Sequence, residues 1–217
     1  MNRARLGPPG DVLLVAPVRG LASESTALLN ELEEFAPAVV GIGLSPDEHR
    51  GLTEYFVASD AEPVVPLTPN EAAEVRGLVR FGEVRVPNPS LVETLRWATA
   101  RSVPVEALDP SDDRSANLFA EHIGYVELVR RTVRERRVAR NPPTPSTADE
   151  FAVAWDREVA RGPGSRALAA ARNRYFARGA RRLLERGGRV ALVVDRERFD
   201  GIRSLVAGPL PSEMADE

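Results

Sequence analysis

The chain has 217 residues, 43% of them hydrophobic and 28% charged, with a formal net charge of −3. That composition fits one globular domain with a sizeable core and excludes a collagen-like rod, a coiled coil and a disordered tail. It holds no cysteine and only two histidines, His49 and His122, and all 29 basic residues are arginine. Disulfides, thiolate metal sites, a multi-histidine centre, a Schiff base and a P-loop lysine are therefore excluded.

Residues 11–18 (DVLLVAPV) form a short apolar run with β-branched members, the pattern of a buried strand. From Ala22 to Phe35 the apolar positions recur at helical spacing, and Pro37 ends the helix. Residues 38–43 (AVVGIG) make a second buried strand, which completes a β-α-β unit and predicts a parallel sheet. Ser45-Pro46-Asp47-Glu48 and Thr68-Pro69-Asn70-Glu71 each place a hydroxyl, a proline and a glutamate where a capping box needs them; Asn88-Pro89 is a third helix start. Residues 103–108 (VPVEAL) are a third strand, ending in Asp109-Pro110-Ser111-Asp112-Asp113.

One long helix is predicted over residues 113–140, with Leu118, His122, Val126, Val129 and Val133 on its inner face. Thr147-x-x-Glu150 caps a helix to about Val159, residues 165–186 form a strongly basic helix, and residues 190–194 (VALVV) are the last strand. Residues 201–206 form a short final helix, and the tail after Pro209 reads as polar and loose. The prediction is one α/β domain over 1–217. A mainly parallel sheet is flanked by helices, with a basic helical insertion over 113–187 before the last strand. Charge is divided accordingly: residues 1–123 carry net −9, residues 124–189 net +9 and the last 28 residues net −3. Such a division suits contact between opposite surfaces, and homo-oligomerisation through the insertion is expected, with Val126, Val129, Val133, Tyr175 and Phe176 at or under the interface. The alternative is that these stripes pack on each other as a hairpin.

The layout resembles the TraB/PrgY family, part of a wider group with the GumN, ChaN and erythromycin-esterase-like proteins. Three stretches carry the resemblance, which spans most of the chain. Strand residues 13–15 lead to Ser23-Glu24-Ser25, Pro37-Ala38-Val39-Val40 and Gly43-Leu44-Ser45-Pro46, where the family has a Gly-Thr-Ala-His motif and a strand closing in glutamate. Pro104-Val105-Glu106-Ala107-Leu108-Asp109 matches a strand that ends in aspartate. Arg172-Asn173 and Gly201-Ile202 match a late helix and the end of a Gly-x-Gly-His motif. The family's site histidines fall at Gly20 and Arg198 and its glutamate at Gly43, while Asp109, Arg172 and Asn173 remain. The resemblance thus implies the family's scaffold without its chemistry, a pseudoenzyme-like protein. The membrane spans that usually follow in the family have no counterpart here.

In an open α/β sheet the ligand crevice lies at the carboxyl ends of the strands. The candidates there are Asp109, Asp112, Asp113, Asp195 and Arg198, and the resemblance implies that Arg172 and Asn173 face the same crevice; together they suit a small anionic ligand that an arginine would hold in bidentate fashion. Asp195-Arg196-Glu197-Arg198, with alternating signs, is expected as a solvated, self-paired turn. His49, in the first turn of a helix behind two acids, and His122 are read as structural.

The expected function is a non-catalytic scaffold or binding protein with no catalytic residue, metal or cofactor. One alternative is a metal-dependent hydrolase built on Asp109, Asp112, Asp113, Asp195 and Glu197. Another is polyanion or nucleic-acid binding through the arginine-rich helices, which thin aromatic interleaving argues against. No run approaches the roughly 18 apolar residues of a membrane span, and MNRARLGPPG has no apolar stretch behind its charges. The expected address is the cytoplasm, with no membrane partner.

Overall fold

The computed structural model describes residues 1–7, 11–54 and 67–208. The four predicted strands share one sheet as β2 (Val12–Ala16), β3 (Val39–Ile42), β4 (Val105–Ala107) and β5 (Val190–Val193). A fifth strand, β1 (Asn2–Leu6), is added at one edge. The order is β1-β2-β5-β3-β4; β1 runs antiparallel to β2 and every other pairing is parallel. The strand β1 was not foreseen. Its five residues alternate half-buried and exposed, with Arg3 and Arg5 outward, which is the pattern of an edge rather than a buried run.

Helices cover both faces. On one face α1 (Ala22–Phe35) and α4 (Pro89–Arg101) bring Leu28, Leu32, Phe35, Leu91 and Leu95 onto Leu13, Val40 and Ile42. On the other, α8 (Pro163–Glu185) and α9 (Phe199–Ala207) bring Phe176, Leu183 and Ile202 onto Leu14, Val190 and Leu192. After β4 the chain turns back to insert β5 between β2 and β3. A right-handed return places its helix on the opposite face, where α8 lies. The basic helix α8 therefore covers the sheet, and Phe176, expected at or under an interface, is wholly buried in that core.

Gly41 marks the tightest part of this face. A Cβ there would overlap Leu108 Cδ1 and come within 3.0 Å of Leu192 Cδ2. Gly41→Ala should cost about 1–3 kcal/mol by overpacking. A lower urea midpoint at unchanged slope is the expected reading; an unaltered midpoint would mean that Leu108 can swing aside.

A third apolar cluster sits beyond the strand ends. It joins Val18 and Leu21 to Leu78 of α3 (Pro69–Leu78), to Val138 of α6 (Tyr125–Arg140), and to Phe151 and Trp155 of α7 (Ala148–Val159). The long helix predicted over 113–140 is two helices, α5 (Asp112–His122) and α6. Ile123 leaves the helical region (φ −110°, ψ 89°) to bury its side chain, and Gly124 starts the next helix. The break re-aims the face: Leu118 is buried, whereas Val126, Val129 and Val133 are exposed. The capping boxes at Ser45, on α2 (Pro46–Leu52), and at Thr68, on α3, form as the sequence predicts, and Asn88 Oδ1 accepts from Ser90 N–H. Among the described residues no helix is long and apolar enough to cross a membrane. The tail after Pro209 lies outside the described residues.

Candidate functional site

A crevice of about 420 Å³ opens at the carboxyl ends of β2, β3 and β5. That volume lies within the range of small-molecule sites, roughly 300–1,000 Å³. Its floor comes from the strand ends: Arg19 and Gly20 after β2, Gly43 and Leu44 after β3, Asp195 after β5. Its apolar wall comes from Leu52 of α2, Val75 and Leu78 of α3, Leu91 of α4 and Val84, Val86 and Pro87 of the segment 84–87, and Glu48, Glu71, Glu74 and Arg85 line it as well. That segment is pinned to the β2 end by a bridge between Leu21 and Val84 and by Arg85 N–H donating to Gly20 C=O at 2.9 Å. Gly20 has φ +84°, a left-handed conformation that favours glycine, and a Cβ there would press on Val84 at 3.1 Å.

Beneath the floor lies a charged clamp. Arg198 donates from Nη1 and Nη2 to the two oxygens of Asp109 at 2.7 and 2.8 Å, a fork-to-fork pair. Arg172 Nη2 reaches the same carboxylate at 2.7 Å from α8, and Arg198 Nε donates to Asn173 Oδ1 at 2.9 Å. Asp109 is buried and Arg198 largely so, but the Arg172 side chain is 45% exposed and lines the crevice. One carboxylate is thus bonded to two guanidinium groups, and the exposed side of Arg172 faces a cavity that Arg19, Glu48, Glu71, Glu74 and Asp195 also line. Gly43 is part of the fit: a Cβ there would stand 3.2 Å from Arg198 Nη1.

Next to the clamp, Arg19 Nη2 donates to Asp195 Oδ2 at 2.6 Å and lies 4.0 Å from Glu197 Oε1. Burial works to raise the Asp195 pKa, but the charge and hydrogen bond of Arg19, helped by Arg198 and Arg172, hold it below the usual carboxylate range. Glu197 goes the other way. Burial and the Asp195 charge push it up to about 8, against the pull of Arg19. Burial also raises Glu74 on α3 and Asp156 on α7, each again opposed by Arg19. At neutral pH the Arg19–Asp195 pair is self-neutralised and Glu197 is mostly protonated.

The sequence candidates fall into three groups. Asp109, Arg172, Asn173 and Arg198 meet in the clamp, and Asp195 stands beside it. Asp112 and Asp113 lie in the first turn of α5, outside the crevice lining; Asp112 Oδ1 accepts from Ser45 Oγ at 3.1 Å. The turn 195–198 is not the solvated, self-paired turn expected from its alternating charges. Asp195 pairs with Arg19, Arg196 with Asp149 of α7, and Arg198 with Asp109, and Arg196 is buried. Its position after a central strand puts it under helices, so its charges find partners across the fold. Among the described residues no three His, Asp or Glu side chains converge closely enough to hold a metal ion.

Arg19, Glu74 and the wall of residues 84–87 were missed. The signal for Arg19 was its place directly after the first strand. Glu74 and the wall gave none, since tertiary docking alone brings them to the cavity. No family model matches this chain, and neither does any curated protein or solved structure.

Proposed function

We propose that the chain is a cytoplasmic, non-catalytic binding protein on a scaffold like that of the TraB/PrgY family. Its ligand is a small molecule with a carboxylate or similar anionic head and an apolar body. The observation that carries this reading is the crevice, where a half-exposed Arg172, bonded on its inner side to Asp109, stands over a cavity walled in part by Leu52, Val75, Leu78 and Leu91. The scaffold reading is supported by the nearness of two positions that the resemblance assigns to lost site residues: a side chain at Gly43 would meet Arg198.

Octanoate and octylamine are matched probes with one tail and opposite heads. Calorimetry at pH 7 is expected to show octanoate binding more tightly, and Arg172→Gln should remove the preference by at least tenfold. Binding of neither probe at millimolar concentration, or an Arg172→Gln variant that keeps the preference, would refute the reading.

One observation favours a hydrolase instead. Asp195 and Glu197 are neighbouring carboxyl groups at a strand end with pKa values driven apart, the condition for a base and an acid. Turnover of p-nitrophenyl octanoate that disappears in Glu197→Gln would favour that reading over simple binding.

A further inference from the structure

We propose that the outer face of α6 is a docking surface for an acidic amphipathic helix of a partner protein. The helix is built inside out. Its inward face carries Glu127, Arg131, Arg134 and Glu135 as well as Val138, and its outward face carries Tyr125, Val126, Leu128, Val129 and Val133. Tyr125 is 82% exposed, Val126 59% and Val133 60%. Single exposed apolar residues are ordinary, but a contiguous row on one helix marks an interaction surface.

The inversion has a local cause. Glu127 turns inward to the N-terminus of α8, where Ser165 Oγ donates to it at 3.2 Å and Arg134 Nη2 at 2.7 Å. A carboxylate is favoured at that positive helix end. Arg131 pairs with Glu135 at 2.8 Å along the same face. With both glutamates, Arg131 and Arg134 committed inward, the apolar side of the helix is left facing out.

The outward residues specify the occupant. Val126, Val129, Val133, Arg136 and Arg140 follow one another at alternating steps of three and four, the seam spacing of paired helices. Valine is short enough to let a second helix approach closely. Arg130, Arg136, Arg137 and Arg140 are exposed, and both acids of α6 face inward. The face is therefore apolar at its N-terminal half and positive at its C-terminal half. Two copies of α6 laid together would set arginine against a face without acid. A helix with an apolar stripe and glutamates on its flanks complements both halves.

The test uses the full chain and two labelled 21-residue peptides with leucine at the seam positions. One carries glutamate and the other lysine at the flanking positions. Fluorescence anisotropy is expected to show the glutamate peptide binding at least tenfold tighter at low salt. The preference should shrink at 0.5 M salt, where exposed charges are screened within about 4–5 Å. Val129→Asp/Val133→Asp should abolish binding without lowering the melting temperature, because both side chains are exposed. Arg136→Glu/Arg140→Glu should reverse the peptide preference. Equal binding of the two peptides, or binding unchanged in the valine variant, would overturn the proposal. So would a dimer seen by light scattering that the valine variant dissolves, which would make a second copy the occupant. Sedimentation with phosphatidylglycerol vesicles that the valine variant loses, without peptide binding, would assign the face to a lipid surface and overturn it too.

Discussion

Asp109→Ala is expected to destabilise the protein by about 3–5 kcal/mol, the usual cost of removing one partner from a buried ion pair. The Asp109 side chain is 2% exposed and that of Arg198 12%, so little solvent screening discounts the figure. Without the carboxylate, Arg198 and Arg172 would face each other as uncompensated cations. For a domain of this size the loss corresponds to a fall in melting temperature of roughly 6–20 °C. The clamp also joins three separate elements, the end of β4, the middle of α8 and the turn after β5, at sequence separations of 63 and 89 residues. Its loss should therefore loosen the crevice floor as a whole. A double substitution, Asp109→Leu/Arg198→Met, should recover much of the loss, because an apolar pair of similar volume avoids the desolvation that the charges impose. The Phe176 ring lies 5.4 Å from the Arg198 guanidinium and offers such a pair an apolar neighbour. Urea unfolding of parent, single and double variants completes the cycle. A single variant as stable as the parent would show that the clamp does not hold the strand ends together.

How much of this was legible in the sequence differs by element. Strands β2, β3 and β5 are buried on both faces, so each is a continuous apolar run. The edge strand β1 needs only one buried face and hides among its arginines. The caps at Ser45, Thr68 and Asn88 depend on residues a few positions apart and could be read directly. The clamp is half legible: Asp109 and Arg198 follow predicted strands and the resemblance points Arg172 and Asn173 to the same crevice, but nothing in the sequence gives their pairing. Arg19 and Glu74 could not be linked, because the contact depends on α3 docking over the end of β2. The orientation of α6 is the reverse of the one its pattern suggests. Periodicity shows that a helix has two faces, and composition assigns the apolar one inward. The need of the α8 N-terminus for Glu127 reversed that assignment.

Glu197→Gln is expected to stabilise the protein at alkaline pH by roughly 3–5 kcal/mol while leaving it nearly unchanged at about pH 4. Glu197 has a pKa of about 8 in the folded chain, where burial and Asp195 oppose its charge, against about 4.3 when unfolded. Between those values the folded state holds a proton that the unfolded state has released. Stability must therefore fall as pH rises through this window, and the loss is complete above pH 8. Each pKa unit of difference corresponds to about 1.4 kcal/mol. Glu74 and Asp156, also raised by burial, add to the same slope. Asp195 acts in the opposite direction: held low by Arg19 against its burial, it contributes stability that is lost as pH drops below about 4. The two slopes leave a maximum in acidic solution, at about pH 4. Glutamine reproduces the protonated form of Glu197 and removes its share of the alkaline slope. Urea midpoints measured from pH 4 to 9.5 should therefore nearly coincide for parent and variant at the acid end, diverge between about pH 4.5 and 8, and keep a constant offset above that. Parallel curves across that range would mean that Glu197 ionises freely in the fold, with Arg19 neutralising both carboxylates at once.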